Sequence, residues 1–395
     1  MEVGVEREYY YFDNSATSNP KPEIVYERVN YAMRELNSNP GRGGHRLAIK
    51  SAAEIYKVRE KVSKLFNVGN PLNVAFTNNS TTALNFAIKS LIEQGDIVIT
   101  TEMEHNSILR PIYTDKERLN SDVRVLGIDN ILVDLKKMSE ELKVEGKKAK
   151  ALCVNHMSNV TGKSLDVEKI GEVCKNYEVK LIVDASQSAG LINIDMEKMN
   201  IDILCFTGHK SLYALQGIGG ICIKEGIKLK TLLSGGSGSQ STNLIHPTQM
   251  PEVVEGGTVN TPGIISLGAG IDFINSVGID KIYEHENSLK NLFLTLLKEL
   301  NDKYNNMIEI YSSYGEGDGP VVSINIKGES SSEISQILDE EFRIITRSGL
   351  HCAPLMHKKN DTVERGSVRF SFGYFNTESD IKYAAEALEK IINEL

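Results

Sequence analysis

A lysine and an aspartate each follow a strand-like run, and an amine held near a carboxylate can perform carbonyl and proton-transfer chemistry. Lys210 lies in FTGHKSLYALQGIGGICI, shortly after the apolar run NIDILCF, and Asp184 closes the run KLIVD. The 26 positions that separate them correspond to about one strand–helix–strand unit. Because parallel strands end at one edge of a sheet, we expect both groups at neighbouring strand ends.

Hydroxyl, amide and imidazole side chains follow other strand-like runs. The segment TNNSTTALN, residues 77–85, opens a helical pattern, and Ser80 and Thr81 with the helix N-terminal N–H groups could bind an anion. The other polar residues that follow a run are His105, Asn159, Gln187, Thr207 and His209. Each alone has a structural explanation, such as a helix cap or a buried histidine with a partner. Together they predict an anion cradle, an aromatic ring, an acid and an amine at one sheet edge.

This combination of groups fits pyridoxal 5'-phosphate (PLP). A phosphate needs hydroxyls and a helix N-terminus, and the ring nitrogen needs a carboxylate to stay protonated. The aldehyde needs a desolvated lysine to form a Schiff base. We therefore predict PLP as the cofactor, with Lys210 as the amine and Asp184 as the acid.

Seven short β-branched runs between Asn73 and Ile223 alternate with amphipathic segments such as DVEKIGEVCKNYE. The alternation predicts an α/β fold with a mainly parallel, seven-stranded sheet covered by helices. After SGGSGSQSTN, long helical patterns and the strand-like runs PVVSINI and GSVRFSF indicate a smaller α+β domain. We expect residues 18–264 to form the large domain, and residues 1–17 and 265–395 the small one.

Composition favours a protein that works on small molecules. The chain of 395 residues has a net charge of -9 and no basic stripe, so nucleic acid and membrane surfaces are not expected partners. The start MEVGVEREYYYFD does not resemble a secretory signal, and no apolar run is long enough to span a bilayer, so we expect a cytoplasmic protein. The five cysteines lack CxxC and metal-ligand spacing, which predicts free thiols and no metal.

The chain resembles the cysteine desulfurase and selenocysteine lyase family, which lies in the class V aminotransferase superfamily of fold-type I PLP enzymes. The resemblance covers nearly the whole chain, through YFDNSATSNPKP, NPGRGGHRLA, NNSTTALN, EHNSILRPI, NHMSNVTG, VDASQSAG, FTGHK, EGGTVNTPGI, RSGLHCAP and VRFSFGYFNT. Thr82 stands where family members often have Glu, Thr207 where Ser is frequent, and GTVN where GTPN is commoner. These changes keep the size or hydroxyl chemistry needed for the cofactor and leave the subgroup open.

The resemblance implies how the cofactor would be held. His105 would stack on the ring, and Asp184 would pair with the ring nitrogen. Asn159 and Gln187 would contact the phenolic oxygen. The residues implied for the phosphate are Ser80, Thr81, Thr207 and His209.

The resemblance also implies a dimer and a substrate site. Thr258 would reach the cofactor phosphate of a partner subunit, so a homodimer is expected. Arg369 would hold the substrate α-carboxylate through its bidentate guanidinium, with Asn159 beside it. His105, Lys210 and Cys352 would be the catalytic residues.

Cys352 distinguishes among the reactions that PLP supports. It lies in the loop RSGLHCAPLMHK beside His351 and near Arg347, a polar and partly cationic setting that favours a thiolate. The remaining cysteines, which lie in apolar strand runs or on a helix, are Cys153, Cys174, Cys205 and Cys222. The resemblance implies that Cys352 takes the sulfur of L-cysteine as a persulfide and leaves L-alanine, while Lys210 moves the α-proton.

Only 17 positions separate Cys352 from Arg369, which resembles the subgroup with a short, ordered catalytic loop. Such a loop implies a separate protein or thiol as the sulfur acceptor. The product sulfur could serve iron–sulfur cluster assembly, thiolated cofactors or selenium delivery.

Other functions remain open at this point. A selenocysteine lyase, acting on L-selenocysteine, or a class V aminotransferase would use the same lysine and acid. A non-enzymatic sulfur-assembly module would need a decayed site, but every expected reactive residue is present. A nucleotide-binding dehydrogenase is disfavoured because no GxGxxG follows an early strand.

Overall fold

The structure is a computed structural model and describes residues 8–41, 43–312, 315 and 317–395. The chain divides into two compact units. The larger unit comprises Lys21–His156 and Leu165–Ile279. The smaller unit comprises the described residues before Lys21, together with Met157–Ser164 and Asp280–Leu395.

The described residues form the following strands and helices. The strands are β1 Tyr10–Tyr11, β2 Val74–Thr77, β3 Ile97–Thr101, β4 Asp122–Leu126, β5 Ala151–Asn155, β6 Lys180–Asp184, β7 Ile203–Thr207, β8 Gly219–Ile223, β9 Ile308–Ile310, β10 Val321–Ile326, β11 Ile344–Ile345 and β12 Val368–Ser371. The helices are α1 Glu23–Glu35, α2 Arg46–Leu65, α3 Ser80–Leu91, α4 Asn106–Leu119, α5 Ile131–Val144, α6 Val167–Asn176, α7 Thr261–Val277, α8 Ile279–Lys303, α9 Ser331–Phe342, α10 Pro354–Lys359 and α11 Glu378–Glu394. A short 3₁₀ helix, Pro71–Asn73, precedes β2.

The larger unit is built on a seven-stranded sheet with the strand order β2-β8-β7-β6-β5-β3-β4. Strand β8 runs antiparallel to both neighbours, and the other six strands run in one direction. The predicted mainly parallel, seven-stranded sheet is therefore confirmed. In its register Asn155 pairs with Asp184, and Asp184 pairs with Cys205, so β5 and β6 end level and β7 continues two residues further, to Thr207.

Apolar strands explain why this sheet is central. Every residue of β2, β3, β5, β7 and β8 is buried, as expected for strands covered on both faces. The core joins strand residues such as Val98 and Ile203 to helix residues such as Phe86 of α3. Helix α7 is mostly buried and packs against α1 and α2.

The predicted domain limits differ from the two units at three places. The boundary expected after residue 264 falls inside α7, whereas the units divide between Ile279 and Asp280. Helix α7 continues the larger unit because its apolar side chains pack there. Met157–Ser164, which was predicted to belong to the large domain, groups with the smaller unit, as do residues 18–20.

The smaller unit contains an antiparallel sheet with the order β12-β10-β9 and a parallel pair of β1 with β11. Its core brings Phe12, which follows β1, together with Phe293 of α8 and Phe370 of β12. The runs PVVSINI and GSVRFSF form β10 and β12, and the closing helix α11 begins at a capping box, so these predictions are confirmed.

Within the described ranges, no single helix is long and apolar enough to cross a membrane, and only the bent pair α7 and α8, taken together, passes on length and composition. The same residues contain no cluster of His, Cys, Asp or Glu arranged for a metal ion.

A buried ion pair protects the edge of the large sheet at β2. Glu255 accepts two hydrogen bonds from the Arg59 guanidinium, at 2.8 and 2.9 Å, and one from the backbone N–H of Phe76, at 2.8 Å. Arg59 also donates to the carbonyl of Val74. The Val74 carbonyl and the Phe76 N–H of this edge strand are thus hydrogen-bonded to side chains, where a further strand would otherwise provide the partners.

We predict that Glu255→Ala lowers the free energy of unfolding by about 3–5 kcal/mol, because it leaves the buried Arg59 charge without its carboxylate. Urea unfolding measures this change. Asp272→Asn is the matched control, since it breaks the Lys61–Asp272 pair, in which both side chains are about a third or more exposed, and should cost at most about 1 kcal/mol. Equal losses in the two variants would contradict the role assigned to Glu255.

Candidate active site

Lys210 lies just beyond the carboxyl end of β7, where the sequence predicted it. The turn is tightly packed, since the Gly208 N–H donates to the Ile218 carbonyl at 2.9 Å and the Gly208 carbonyl accepts from the Ala214 N–H at 2.8 Å. Lys210 itself is half-buried, and its carbonyl accepts from Tyr213 N–H at 2.8 Å. This short, hydrogen-bonded turn positions the amine at the strand end.

The residue before it, His209, is held by a second lysine. Lys21 Nζ donates to the His209 carbonyl at 2.8 Å, and burial lowers the pKa of Lys21 to about 8. Burial, with the charges of Lys210 and Lys21, lowers the pKa of His209 to about 4. His209 is therefore neutral at physiological pH in the protein without a ligand.

Asp184 is the last residue of β6, and its carboxylate is fixed on one side. Its Oδ1 accepts from Ser80 Oγ at 3.1 Å, from Ser186 N–H at 2.9 Å and from the Ser186 hydroxyl. Oδ2 has no hydrogen-bond donor among the described residues. One oxygen is thus anchored, and the other can accept from a further donor such as a protonated ring nitrogen.

Ser80 makes a contact that the sequence did not predict. Its hydroxyl has one proton, which it donates to Asp184. A phosphate at the start of α3 would therefore compete with Asp184 for that proton. The N–H groups of the first turn of α3 remain the better anion donors.

The start of α3 lies close to β8. Asn79 caps the helix by accepting from Thr82 N–H at 2.9 Å. A Cβ on Gly219 would lie 2.8 Å from the Asn79 backbone carbon and 2.6 Å from the Phe206 carbonyl oxygen. Only glycine allows this approach, which brings the helix N-terminus to the edge that carries Lys210.

A chain of hydroxyls connects the helix N-terminus to His105. Thr81 Oγ1 and Ser107 Oγ are 2.7 Å apart, and Ser107 Oγ is 2.9 Å from His105 Nδ1. Nδ1 also accepts from the Ser107 N–H at 3.0 Å, so His105 caps α4. These bonds fix the ring that was predicted to stack on a cofactor.

Glu104 is a functional candidate that sequence reasoning missed. It is fully buried and accepts from Thr101 Oγ1 at 2.6 Å and from the Asn155 N–H at 2.7 Å, so it joins the ends of β3 and β5. Burial, with a smaller contribution from the charge of Asp184, raises its pKa to about 8. No sequence pattern marks Glu104 except its position directly before His105.

The remaining predicted residues of the larger unit are Gln187, Thr207 and Thr258. Gln187 is buried just beyond β6. The buried Thr207 hydroxyl at the end of β7 has no hydrogen-bond partner among the described residues. Thr258 is exposed and accepts from Asn39 Nδ2 at 3.2 Å.

These residues fit PLP. A buried hydroxyl without a partner, at Thr207, is a group that a phosphate oxygen would satisfy. The N–H groups of α3 suit an anion, Asp184 Oδ2 suits a ring N–H, and His105 offers an aromatic face. The larger unit therefore brings the predicted cofactor residues to one sheet edge, with the exceptions of Asn159 and Thr258.

Asn159 and Arg369 belong to the smaller unit. Arg369 is only 1% exposed, and it donates to Asp13 Oδ1 at 2.6 Å and to the Asn159 carbonyl at 3.0 Å. Asn159 Nδ2 donates to the His351 carbonyl at 2.7 Å, while its Oδ1 has no partner among the described residues. Asp13 was not singled out from the sequence, although it lies in the segment YFDNSAT.

Cys352 is exposed and follows a residue that is held on several sides. His351 Nε2 lies 3.0 Å from the Ser367 carbonyl oxygen, and Gly349 and Ser367 exchange two backbone hydrogen bonds. His351 and Cys352 both have left-handed backbones, with φ of 46° and 57°. Such residues persist only where their surroundings hold them, and they cluster at functional sites.

His351 does not supply a positive charge to the thiol. Burial, with the charges of Arg369, His357 and Arg347, lowers the pKa of His351 to about 2. His351 is therefore neutral, and the partly cationic setting expected for this loop from the sequence stays a prediction. His351 positions the loop through its hydrogen bonds to Ser367.

The four other cysteines are buried, as expected for core residues. Burial raises the pKa of each of their thiols, that of Cys174 to about 12. Cys352 is the exposed cysteine of the chain. Solvent reagents and substrates should therefore meet Cys352 first.

Together, the parallel sheet, the strand-end lysine and acid and the anion cradle define the class of fold-type I PLP enzymes. The family model "Aminotransferase class-V" matches residues 10–384. A relative from Pyrococcus abyssi, named "Probable cysteine desulfurase", is 32% identical over 100% of this chain and 97% of its own. A relative of the same name from Borreliella burgdorferi is 30% identical over 98% of this chain and 92% of its own.

A solved structure agrees with these sequence relatives. The apo cysteine desulfurase from Thermococcus onnurineus NA1 superposes with a TM-score of 0.86 at 29% identity, covering 98% of this chain and 96% of that one. The chain belongs to the cysteine desulfurase family of class V aminotransferases, as the sequence resemblance predicted. Enzymes of this class depend on PLP.

We predict that Glu104 makes stability depend on pH. Its folded pKa of about 8 lies above the ordinary value of 4.5, so its contribution is fully present below about pH 4.5 and is lost as the pH rises to about 8. Glu104→Gln cannot titrate and should lack this slope. Urea unfolding from pH 5 to 8 should show wild type losing about 3–5 kcal/mol relative to the variant; identical slopes would contradict the buried, protonated carboxyl.

Proposed function

We propose that this protein is a PLP-dependent cysteine desulfurase that converts L-cysteine to L-alanine and takes the sulfur as a persulfide on Cys352. The observation that carries the proposal is the exposed Cys352 on a loop hydrogen-bonded to Asn159, which also contacts the buried Arg369. Family membership supports the same reaction.

The cofactor would be held by residues of the larger unit. Lys210 would attach it, Asp184 Oδ2 would pair with its ring nitrogen, and His105 would cover the ring. The phosphate would be bound by the N–H groups of α3, with the hydroxyls of Thr81 and Thr207. When bound, PLP supplies an electron sink for charge that develops at the substrate α-carbon.

The protein's own groups would then act on L-cysteine in a fixed order. Arg369 binds the α-carboxylate, and Lys210 Nζ takes the proton from the α-carbon. Cys352 Sγ attacks the substrate sulfur, so an S–S bond forms while the C–S bond breaks and its electron pair stays with carbon. Protonation of that carbon completes the balance, in which L-cysteine and one thiol give L-alanine and one persulfide.

The persulfide would pass to a separate protein or thiol. The position of Cys352 at the surface supports this step, because an acceptor can approach a sulfur that solvent already reaches.

A homodimer forms part of the proposal. The larger unit carries a cavity of about 950 Å³ lined by Gly41, Gly43 and residues 234–241 and 243–247. The apolar side chains of Ile49, Leu244 and Ile245 line the same cavity and are largely exposed. A second copy of this chain would cover these side chains and would explain an exposed Thr258 that serves a neighbouring phosphate.

We expect Cys352→Ser to keep its cofactor and to bind L-cysteine, because neither step needs a protein thiol. Alanine formation from L-cysteine should stop, since a serine hydroxyl cannot carry a persulfide. Mass spectrometry should find one added sulfur on Cys352 of the wild type after exposure to L-cysteine. Cys174→Ala, which removes a buried thiol, is the control and should behave as wild type.

Undiminished alanine formation in Cys352→Ser, with no sulfur adduct on the wild-type residue, would refute the proposed function. Turnover of L-selenocysteine far above that of L-cysteine would instead identify a selenocysteine lyase. Selenium release that survives in Cys352→Ser would indicate that the thiol is needed for sulfur alone.

We expect Lys210→Ala to slow alanine formation by at least about 10³-fold, because it removes the amine that moves the α-proton. PLP content after dialysis tests the second role of Lys210, since loss of the covalent partner should leave the cofactor exchangeable. Full activity in Lys210→Ala would contradict the site.

We expect sedimentation velocity to show a species of twice the chain mass. The double variant Leu244→Glu/Ile245→Glu should shift it toward monomer, because two carboxylates would be buried at the interface. A monomeric wild type with full PLP occupancy would refute the dimer.

A further inference from the structure

Arg369, the residue proposed to bind the substrate carboxylate, already has a carboxylate partner in Asp13. Its NH2 donates to Asp13 Oδ1 at 2.6 Å, and its NH1 donates to the Asn159 carbonyl at 3.0 Å. The guanidinium has five N–H donors, and its buried Nε has no partner among the described residues. Arg369 therefore keeps free donors although its position is already fixed.

Asp13 is held in place by the backbone around it. Its carbonyl accepts from Ala16 N–H at 3.0 Å and Thr17 N–H at 3.3 Å, and Asp13 forms a parallel bridge with Ser371. Just before it, the Phe12 carbonyl accepts from Ser371 N–H at 2.7 Å. The N-terminal segment that pairs with Ser371 thus fixes the distance between the Asp13 carboxylate and the Arg369 guanidinium.

The charges around Arg369 make Asp13 important. Burial and the nearby Arg347 lower the pKa of Arg369, while Asp13 opposes this shift. Asp13 is the carboxylate that forms an ion pair with Arg369 in the described part of the chain. A substrate carboxylate that approaches Arg369 would therefore also meet the negative charge of Asp13.

Arg369 is also connected to the catalytic loop. Its NH1 holds the Asn159 carbonyl, and Asn159 Nδ2 donates to the His351 carbonyl at 2.7 Å. His351 directly precedes Cys352. A guanidinium that lost its orientation would remove a hydrogen bond from the segment that supports this loop.

We propose that Asp13 sets the affinity of Arg369 for the α-carboxylate: it fixes the guanidinium and offsets part of its charge, so that the amino-acid product can leave. This role rests on the proposed function, in which Arg369 binds that carboxylate. Asp13 acts through Arg369 and is therefore a positioning residue. Its side chain would determine how strongly any α-amino acid binds.

The test separates the charge of Asp13 from its hydrogen bond. In Asp13→Asn the amide oxygen still accepts from Arg369, but the negative charge is gone. We expect the Kd of L-alanine, measured by calorimetry on the holoenzyme, and the KM of L-cysteine to fall by about 3- to 10-fold. L-Alaninamide, which lacks a carboxylate, should bind wild type and variant equally.

Asp13→Ala removes both the charge and the hydrogen bond. We expect its kcat to fall at least about 10-fold, with Asp13→Asn restoring most of it, because only the asparagine still orients Arg369. Glu309→Gln is the matched control, since it removes a carboxylate from the more exposed Glu309–Arg365 pair of the same unit. It should change neither kcat nor the Kd of L-alanine.

Each outcome decides between clear alternatives. If the wild type is active and the Kd of L-alanine is unchanged or higher in a folded Asp13→Asn, this inference alone is overturned. A wild type that forms neither alanine nor persulfide would instead reject the proposed function. If Asp13→Asn does not fold, Asp13→Glu is the second variant, because it keeps the charge but shifts the carboxylate. We expect its kcat to fall while its Kd for L-alanine stays near the wild-type value. An unchanged kcat in Asp13→Glu would overturn the inference.

Discussion

A carboxylate buried at the end of a β-strand must find hydrogen-bond donors, and this requirement organises the larger unit. Asp184 meets it by accepting from Ser80 and Ser186, so the acid is joined to the first residue of α3. The same contact brings the N–H groups at the start of α3 to the edge of the sheet where Lys210 follows β7. Acid, anion site and amine therefore lie together because neighbouring parallel strands of one sheet end at the same edge.

In the smaller unit the buried charged group is a cation, Arg369, which needs hydrogen-bond acceptors. Arg369 is held by Asp13 and by the Asn159 carbonyl, and Asn159 in turn holds the loop before Cys352. In both units a charged group is fixed on one side by the fold while other hydrogen-bonding positions remain for a ligand. Such partial satisfaction is typical of binding groups, because a side chain fully paired within the protein would bind a ligand weakly.

Residues whose position follows from local periodicity could be predicted from the sequence. Asp184 ends a short apolar strand and Lys210 closely follows another, and parallel strands place such ends together. Asp13 could not be assigned in this way, because 356 positions separate it from Arg369 and no local pattern records their pairing. Glu104 was missed for a related reason, since its burial depends on β3 and β5 lying side by side. The grouping of Met157–Ser164 with the smaller unit likewise depends on tertiary contacts, since the Gly162 carbonyl accepts from the Gly319 N–H at 2.7 Å.

The catalytic loop combines exposure with rigidity, and its backbone explains how. A left-handed conformation costs roughly 1–2 kcal/mol for each non-glycine residue, so His351 and Cys352 need compensating contacts. These come from Asn159 Nδ2, from Ser367 and from the backbone pair of Gly349 with Ser367. Within the loop these contacts are made by Gly349 and His351, which directly or closely precede Cys352, while the Cys352 side chain stays at the surface. In the proposed reaction, such a thiol would meet the substrate sulfur and then present the persulfide to an acceptor without the loop having to unfold.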